Sequence, residues 1–131
     1  MATGRALQIL LAEDDDAARA LVAKALRRLG HRVTDVATGT ELRAMLGLDC
    51  GAASFAADVL IADIRMPGAS GLNILYELHA LGVRLPVILM SAIATQDVVS
   101  YAERLGALAV LRKPFELEVL PDLLARVEDS R

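Results

Sequence analysis

The sequence predicts an α/β fold, a single parallel sheet of five strands with helices packed on both faces. Three observations lead there. Short aliphatic runs alternate with helix-period segments five times along the chain. The runs Leu7–Ala12 (LQILLA), Val59–Ala62 (VLIA) and Pro86–Met90 (PVILM) are almost continuously apolar, as strands covered on both faces must be. The composition is 55% hydrophobic with only 3% aromatic residues and no tryptophan, so the core is aliphatic, built from Ala, Leu, Val and Ile.

Each element follows from its residues. Leu7–Ala12 is too short for a helix and is closed by acidic residues, so it reads as the first buried strand. Ala17–Leu29 repeats Leu, Val and Ala at helical spacing and stops at Gly30. Arg32–Ala37 alternates polar and apolar, which suits a strand nearer an edge. Thr40–Leu48 is predicted helical, and Gly51-Ala52-Ala53-Ser54 extends the loop after it. Val59–Ala62 is the third strand and ends at Asp63; the Pro and Gly of Met66–Gly71 mark a loop. Leu72–Leu81 is a helix closed by Gly82, and Pro86–Met90 a buried strand ending at Ser91. Gln96–Leu105 is a helix closed by Gly106, Ala109–Leu111 a short strand, Lys113-Pro114 a turn and Leu117–Val127 the last helix.

At 131 residues the chain has room for one domain, residues 1–131 with a core of about 8–127. A net charge of −3 argues against nucleic-acid binding through a basic surface. The one cysteine, Cys50, can form neither an intramolecular disulfide nor a thiolate metal cluster, which fits a cytoplasmic address. No apolar run reaches the length of a membrane span, and Met1–Ala6 lacks a signal-peptide core. His31 and His79 have no neighbours at metal or catalytic spacing and are read as surface residues, and Cys50 has no basic partner nearby in sequence.

In open parallel sheets, sites form beyond the carboxyl ends of the strands. Those ends carry Glu13-Asp14, Asp63, Ser91 and Lys113 for strands one, three, four and five, whereas strand two offers only Ala37-Thr38-Gly39. Clustered carboxylates require a cation or a proton, and an all-oxygen donor set without His or Cys suits Mg²⁺. A nucleophilic carboxylate, a cation, an ammonium and a hydroxyl are the parts that phosphoryl transfer requires. Each has a plainer reading. One of Asp14, Asp15 and Asp16 caps the following helix, an Asp such as Asp63 often opens a turn, a strand-end serine such as Ser91 is usually structural and a lysine such as Lys113 is usually solvated.

The segments Leu10–Asp15 (LLAEDD), Asp58–Gly71 (DVLIADIRMPGASG), Pro86–Ala92 (PVILMSA) and Gly106–Phe115 (GALAVLRKPF) resemble the signature stretches of response-regulator receiver domains of two-component signalling, over about Gln8 to Val127. The resemblance implies the doubly wound, flavodoxin-like strand order 2-1-3-4-5. It implies that Asp63 is the phosphoacceptor and that Glu13, Asp14, Asp63 and the backbone carbonyl of Arg65 hold Mg²⁺. It implies that Ser91 swings toward the phosphoryl group, and that Lys113, with a cis bond to Pro114, contacts it. The implied partners are a sensor histidine kinase or a histidine phosphotransfer protein, and the face of helix four, strand five and helix five is the expected output.

Three departures stand out. The aromatic residue that relatives carry on strand five is Val110 here, so the usual coupling to Ser91 needs another reporter, with Tyr101 a candidate set against plain packing. Gly47–Ala57 is longer than expected and is read as a tolerated surface insertion. Arg65 and Ile93 flank the acceptor, and a bulky apolar Ile93 predicts slow loss of the phosphoryl group. Two other functions compete. A phosphohydrolase would ordinarily carry an acid two residues after Asp63, where Arg65 stands. A degenerate receiver would act as a phosphorylation-independent docking module.

Overall fold

The computed structural model describes residues 6–51 and 53–129, so Ala52 of the predicted loop and Met1–Arg5 lie outside the described residues. The elements are β1 (Gln8–Ala12), α1 (Asp16–Arg28), β2 (Arg32–Val36), α2 (Gly39–Leu46), β3 (Val59–Asp63), α3 (Gly71–Ala80), β4 (Val87–Ser91), α4 (Gln96–Arg104), β5 (Ala109–Arg112) and α5 (Val119–Asp129). All strand pairs are parallel and the order is β2-β1-β3-β4-β5, the predicted one.

The aliphatic runs form this sheet because neighbouring residues serve opposite faces. On one face Leu10, Leu60, Ala62, Val87 and Leu89 pack with Leu42 and Leu46 of α2 and Ile74, Leu75 and Leu78 of α3. On the other, Ile9, Leu11, Val59, Ile61, Ile88 and Met90 pack with Val22, Ala23 and Leu26 of α1 and Leu120, Leu123, Leu124 and Val127 of α5. Every residue of β3 and β4 is buried, whereas edge strand β2 buries only Val36 outright.

Three differences from the sequence reading have local causes. The helix predicted over Thr40–Leu48 ends at Leu46, because Gly47 takes a left-handed conformation (φ 75°) that terminates it. A short 3-10 turn, Leu48–Cys50, follows, and its Leu48 enters the core while Phe55 packs against it. The connection read as a surface insertion therefore contributes Leu48 and Phe55 to the packing. The last helix starts at Val119 instead of Leu117: a helix from Leu117 would need an N–H on Pro121 to meet the Leu117 carbonyl, and proline has none. Leu120 N–H donates to that carbonyl instead, at 3.1 Å.

Candidate functional site

The carboxyl edge of the sheet gathers the chemistry. Parallel register sets Ile9–Ala12 beside Val59–Ala62, so Glu13 and Asp14, following β1, and Asp63, the last residue of β3, arrive at one level. One carboxylate oxygen from each of Glu13, Asp14 and Asp63 lies within 4.8 Å of the others. Glu13 (1% exposed) and Asp63 (7%) are buried, while Asp14 is open to solvent. Three hard oxygen donors with no nitrogen or sulfur among them fit a small divalent cation of the Mg²⁺ type.

Lys113, directly after β5, reaches into this group, and its ammonium donates to both Glu13 Oε1 and Asp63 Oδ2. The backbone at Lys113 is held by its N–H, which donates to the Ser91 carbonyl at 2.8 Å. The Lys113–Pro114 peptide is cis, as the resemblance implied. Burial raises the Glu13 pKa above the usual carboxylate value, and the Asp63 charge adds to it, partly offset by the Lys113 hydrogen bond. For Lys113 burial pulls downward, but the hydrogen bonds to Asp63 and Glu13 together outweigh it and hold the ammonium above its ordinary pKa.

Asp63 Oδ1 accepts from Arg65 N–H at 2.9 Å, which orients the carboxylate; the Arg65 side chain is exposed. Ser91, the last residue of β4 and 2% exposed, accepts from Ile93 N–H at 3.1 Å through Oγ, leaving its own hydroxyl hydrogen free to donate. Ile93 is 60% exposed beside it. The geometry thus brings Glu13, Asp14, Asp63 and Lys113 into one cluster, with Ser91 on the neighbouring strand held by its own loop.

Two residues outside the expected set make contacts that the sequence reading did not anticipate, Arg19 at the site's edge of the sheet and His31 at the opposite, amino edge. Arg19 Nη1 donates to the Glu13 carbonyl at 2.9 Å and pairs with Asp16 and Asp35, tying the end of β1 to α1 and β2. Its signal in the sequence was faint, an acid three residues earlier on the same helix. His31 is also more than a surface residue. It is half-buried, and its Nδ1 accepts from Leu7 N–H at 3.0 Å. His79 is exposed, as expected, and Cys50 is exposed as well. Val110 packs against the α2–α3 side of the core, and exposed Tyr101 has the Arg104 guanidinium 5.8 Å from its ring centroid.

Residues 9–125 match the family model of the response regulator receiver domain. The chain belongs to that family. The receiver domain is 35% identical over 118 residues to the DNA-binding transcriptional regulator NtrC of Salmonella typhimurium (strain LT2), covering 90% of this chain and 24% of that protein. It is 36% identical over 111 residues to the transcriptional regulatory protein FixJ of Azorhizobium caulinodans, covering 84% of this chain and 49% of that one. It therefore spans from about a quarter to half of these relatives' length. The Francisella response regulator 1452 receiver domain superposes with a TM-score of 0.84 at 21% identity, over 95% of this chain and 99% of that one, which establishes the shared fold. Receiver domains are phosphoacceptor modules of two-component systems, phosphorylated by histidine kinases or phosphotransfer proteins, and are generally signalling modules rather than enzymes. Among the described residues, no helix is long and apolar enough to cross a membrane.

Proposed function

We propose that Asp63 is the phosphoacceptor of this receiver domain, that Glu13, Asp14, Asp63 and the Arg65 carbonyl hold Mg²⁺, and that Lys113 and Ser91 receive the phosphoryl oxygens. The observation that carries this reading is the convergence of Glu13, Asp14 and Asp63 within 4.8 Å under the Lys113 ammonium. Bound Mg²⁺ supplies neutralising charge for the carboxylates and for phosphate oxygens. The protein's own groups account for the rest. Arg65 N–H holds one carboxylate oxygen of Asp63 and Lys113 the other, so the nucleophile is oriented before a donor arrives. An Asp63 oxygen forms a bond to phosphorus as the donor's P–N bond breaks, and that electron pair leaves with the donor imidazole, which takes up a proton from water. The Lys113 ammonium and the Ser91 hydroxyl then meet two of the phosphoryl oxygens.

The donor is a histidine kinase or a histidine phosphotransfer protein, acting in the cytoplasm, and the responding surface is the α4–β5–α5 face. Turning Ser91 toward the phosphoryl group gives up its bond from Ile93 N–H, which couples phosphorylation to the β4–α4 loop. With Val110 in the usual aromatic place this loop carries the change. Ile93, apolar and 60% exposed beside Ser91, shields the acyl phosphate from water, so self-dephosphorylation is slow. A half-life of seconds for the isolated phosphoprotein refutes that point.

The test is intact mass after incubation with Mg²⁺ and a small acyl-phosphate donor. Wild type gains one phosphoryl group and Asp63→Ala gains none. Turnover of a generic phosphate ester without lasting label favours a phosphohydrolase, and no label on wild type favours a docking module.

A further inference from the structure

We propose that Gly39 is a positioning residue for the cation site: its missing side chain lets the β3–α3 loop seat on the first turn of α2, and this fixes the backbone at Arg65 beside Asp63. The proposal rests on the assignment of Glu13, Asp14, Asp63 and the Arg65 carbonyl made above.

The first turn of α2 is a stiff platform. Thr38 caps it, its hydroxyl accepting from Glu41 N–H at 3.0 Å, while the Glu41 carboxylate accepts from Ala37 N–H at 3.1 Å. Gly39 N–H donates across to the Pro67 carbonyl at 2.8 Å. A Cβ at Gly39 would lie 2.1 Å from the Ala69 oxygen and 2.6 Å from the Ala69 nitrogen. These are backbone atoms, which cannot rotate aside, so any side chain at 39 must lift the loop by more than an ångström to reach ordinary contact at 3.4 Å. A second close approach repeats the fit, since a Cβ at Gly68 (φ +90°) would meet Thr40 Oγ1 at 2.0 Å.

The lifted segment is exposed at Pro67 and Gly68 but tied to the site at both ends, so the shift is passed to those ends. Its far end is clamped, with Gly71 N–H donating to the Ile64 carbonyl at 3.0 Å and a Cβ at Gly71 falling 2.4 Å from the Asp63 oxygen. Its near end is Arg65, whose N–H holds Asp63 Oδ1 at 2.9 Å. Displacing Pro67–Ala69 therefore shifts the backbone on either side of Arg65: the Ile64–Arg65 peptide, which carries the orienting N–H, and the Arg65–Met66 peptide, which carries the carbonyl assigned to the cation.

Gly39→Ala tests this. Titration calorimetry with Mg²⁺ alone is expected to show about tenfold weaker binding than wild type, the size typical when groups that orient metal ligands are changed. Labelling by the acyl-phosphate donor should recover at saturating Mg²⁺, a change in Mg²⁺ requirement rather than in maximal rate. The amide resonances of Ile64 to Arg65 should shift in the variant. Thr40→Gly, which removes the side chain that Gly68 rests against, should weaken Mg²⁺ binding in the same direction and decides the matter if Gly39→Ala does not fold. A folded variant with lowered thermal stability and wild-type Mg²⁺ affinity overturns the proposal. Wild type that neither binds Mg²⁺ nor takes label overturns the underlying site assignment instead.

Discussion

At the scale of single residues, Lys113 and the buried carboxylates are mutually dependent. The single ammonium pairs with both Glu13 and Asp63, which are largely withdrawn from water, and an unpaired buried charge is costly. Lys113→Met is expected to lower stability by on the order of 1–3 kcal/mol without divalent cation, and Mg²⁺ should raise its melting temperature more than it raises that of wild type. Equal Mg²⁺ effects on the two melting curves contradict the shared-cation picture. Because the Lys113 pKa is raised, its contribution is fully present below the ordinary value of 10.5 and is lost as pH climbs through the raised one. His31 behaves in the opposite sense. Burial lowers its pKa from 6.5, against the opposing charge of Glu128, and its Nδ1 must stay unprotonated to accept from Leu7 N–H. The unfolded chain then takes up the proton first, so stability falls as pH drops from about 6.5 toward the lowered value. Thermal melts from pH 7.5 to 5.0 are expected to show this slope in wild type and a flatter one in His31→Gln.

At the scale of elements, helix starts decide where the site's turns sit. Asp15 caps α1 through Oδ2, which accepts from Ala18 N–H at 2.7 Å, and this anchors the turn that presents Glu13 and Asp14. Asp15→Ala should cost about 1 kcal/mol in denaturant melts, with the midpoint moving and the slope unchanged. The division of labour among the three consecutive aspartates shows what element-level reading can reach. Spacing alone identified a cap among Asp14, Asp15 and Asp16, but only the path of the chain into α1 selected Asp15 and left Asp14 facing the carboxylate cluster. The end of α2 at Leu46, set by Gly47, and the late start of α5 at Val119, set by Pro121, belong here too, since each follows from one residue's backbone chemistry that periodicity overlooks.

At the scale of the whole molecule, the parallel order β2-β1-β3-β4-β5 converts distant stretches of chain into one reactive edge. The aliphatic runs specified the strands, because a strand buried on both faces has little choice but continuous Val, Ile and Leu, and the strand-end residues Glu13, Asp14, Asp63, Ser91 and Lys113 were legible for the same reason. That much depends on neighbours along the chain, where hydrophobic period and turn chemistry act. The bridging of Glu13 and Asp63 by Lys113, the Arg19 clamp on the Glu13 carbonyl, the His31 bond to Leu7 and the seating of the 66–70 loop on Gly39 depend on residues 6 to 100 positions apart. Those contacts exist only once the sheet is assembled, because hydrogen-bond geometry and van der Waals clearance are set by through-space distance, which a linear pattern does not encode.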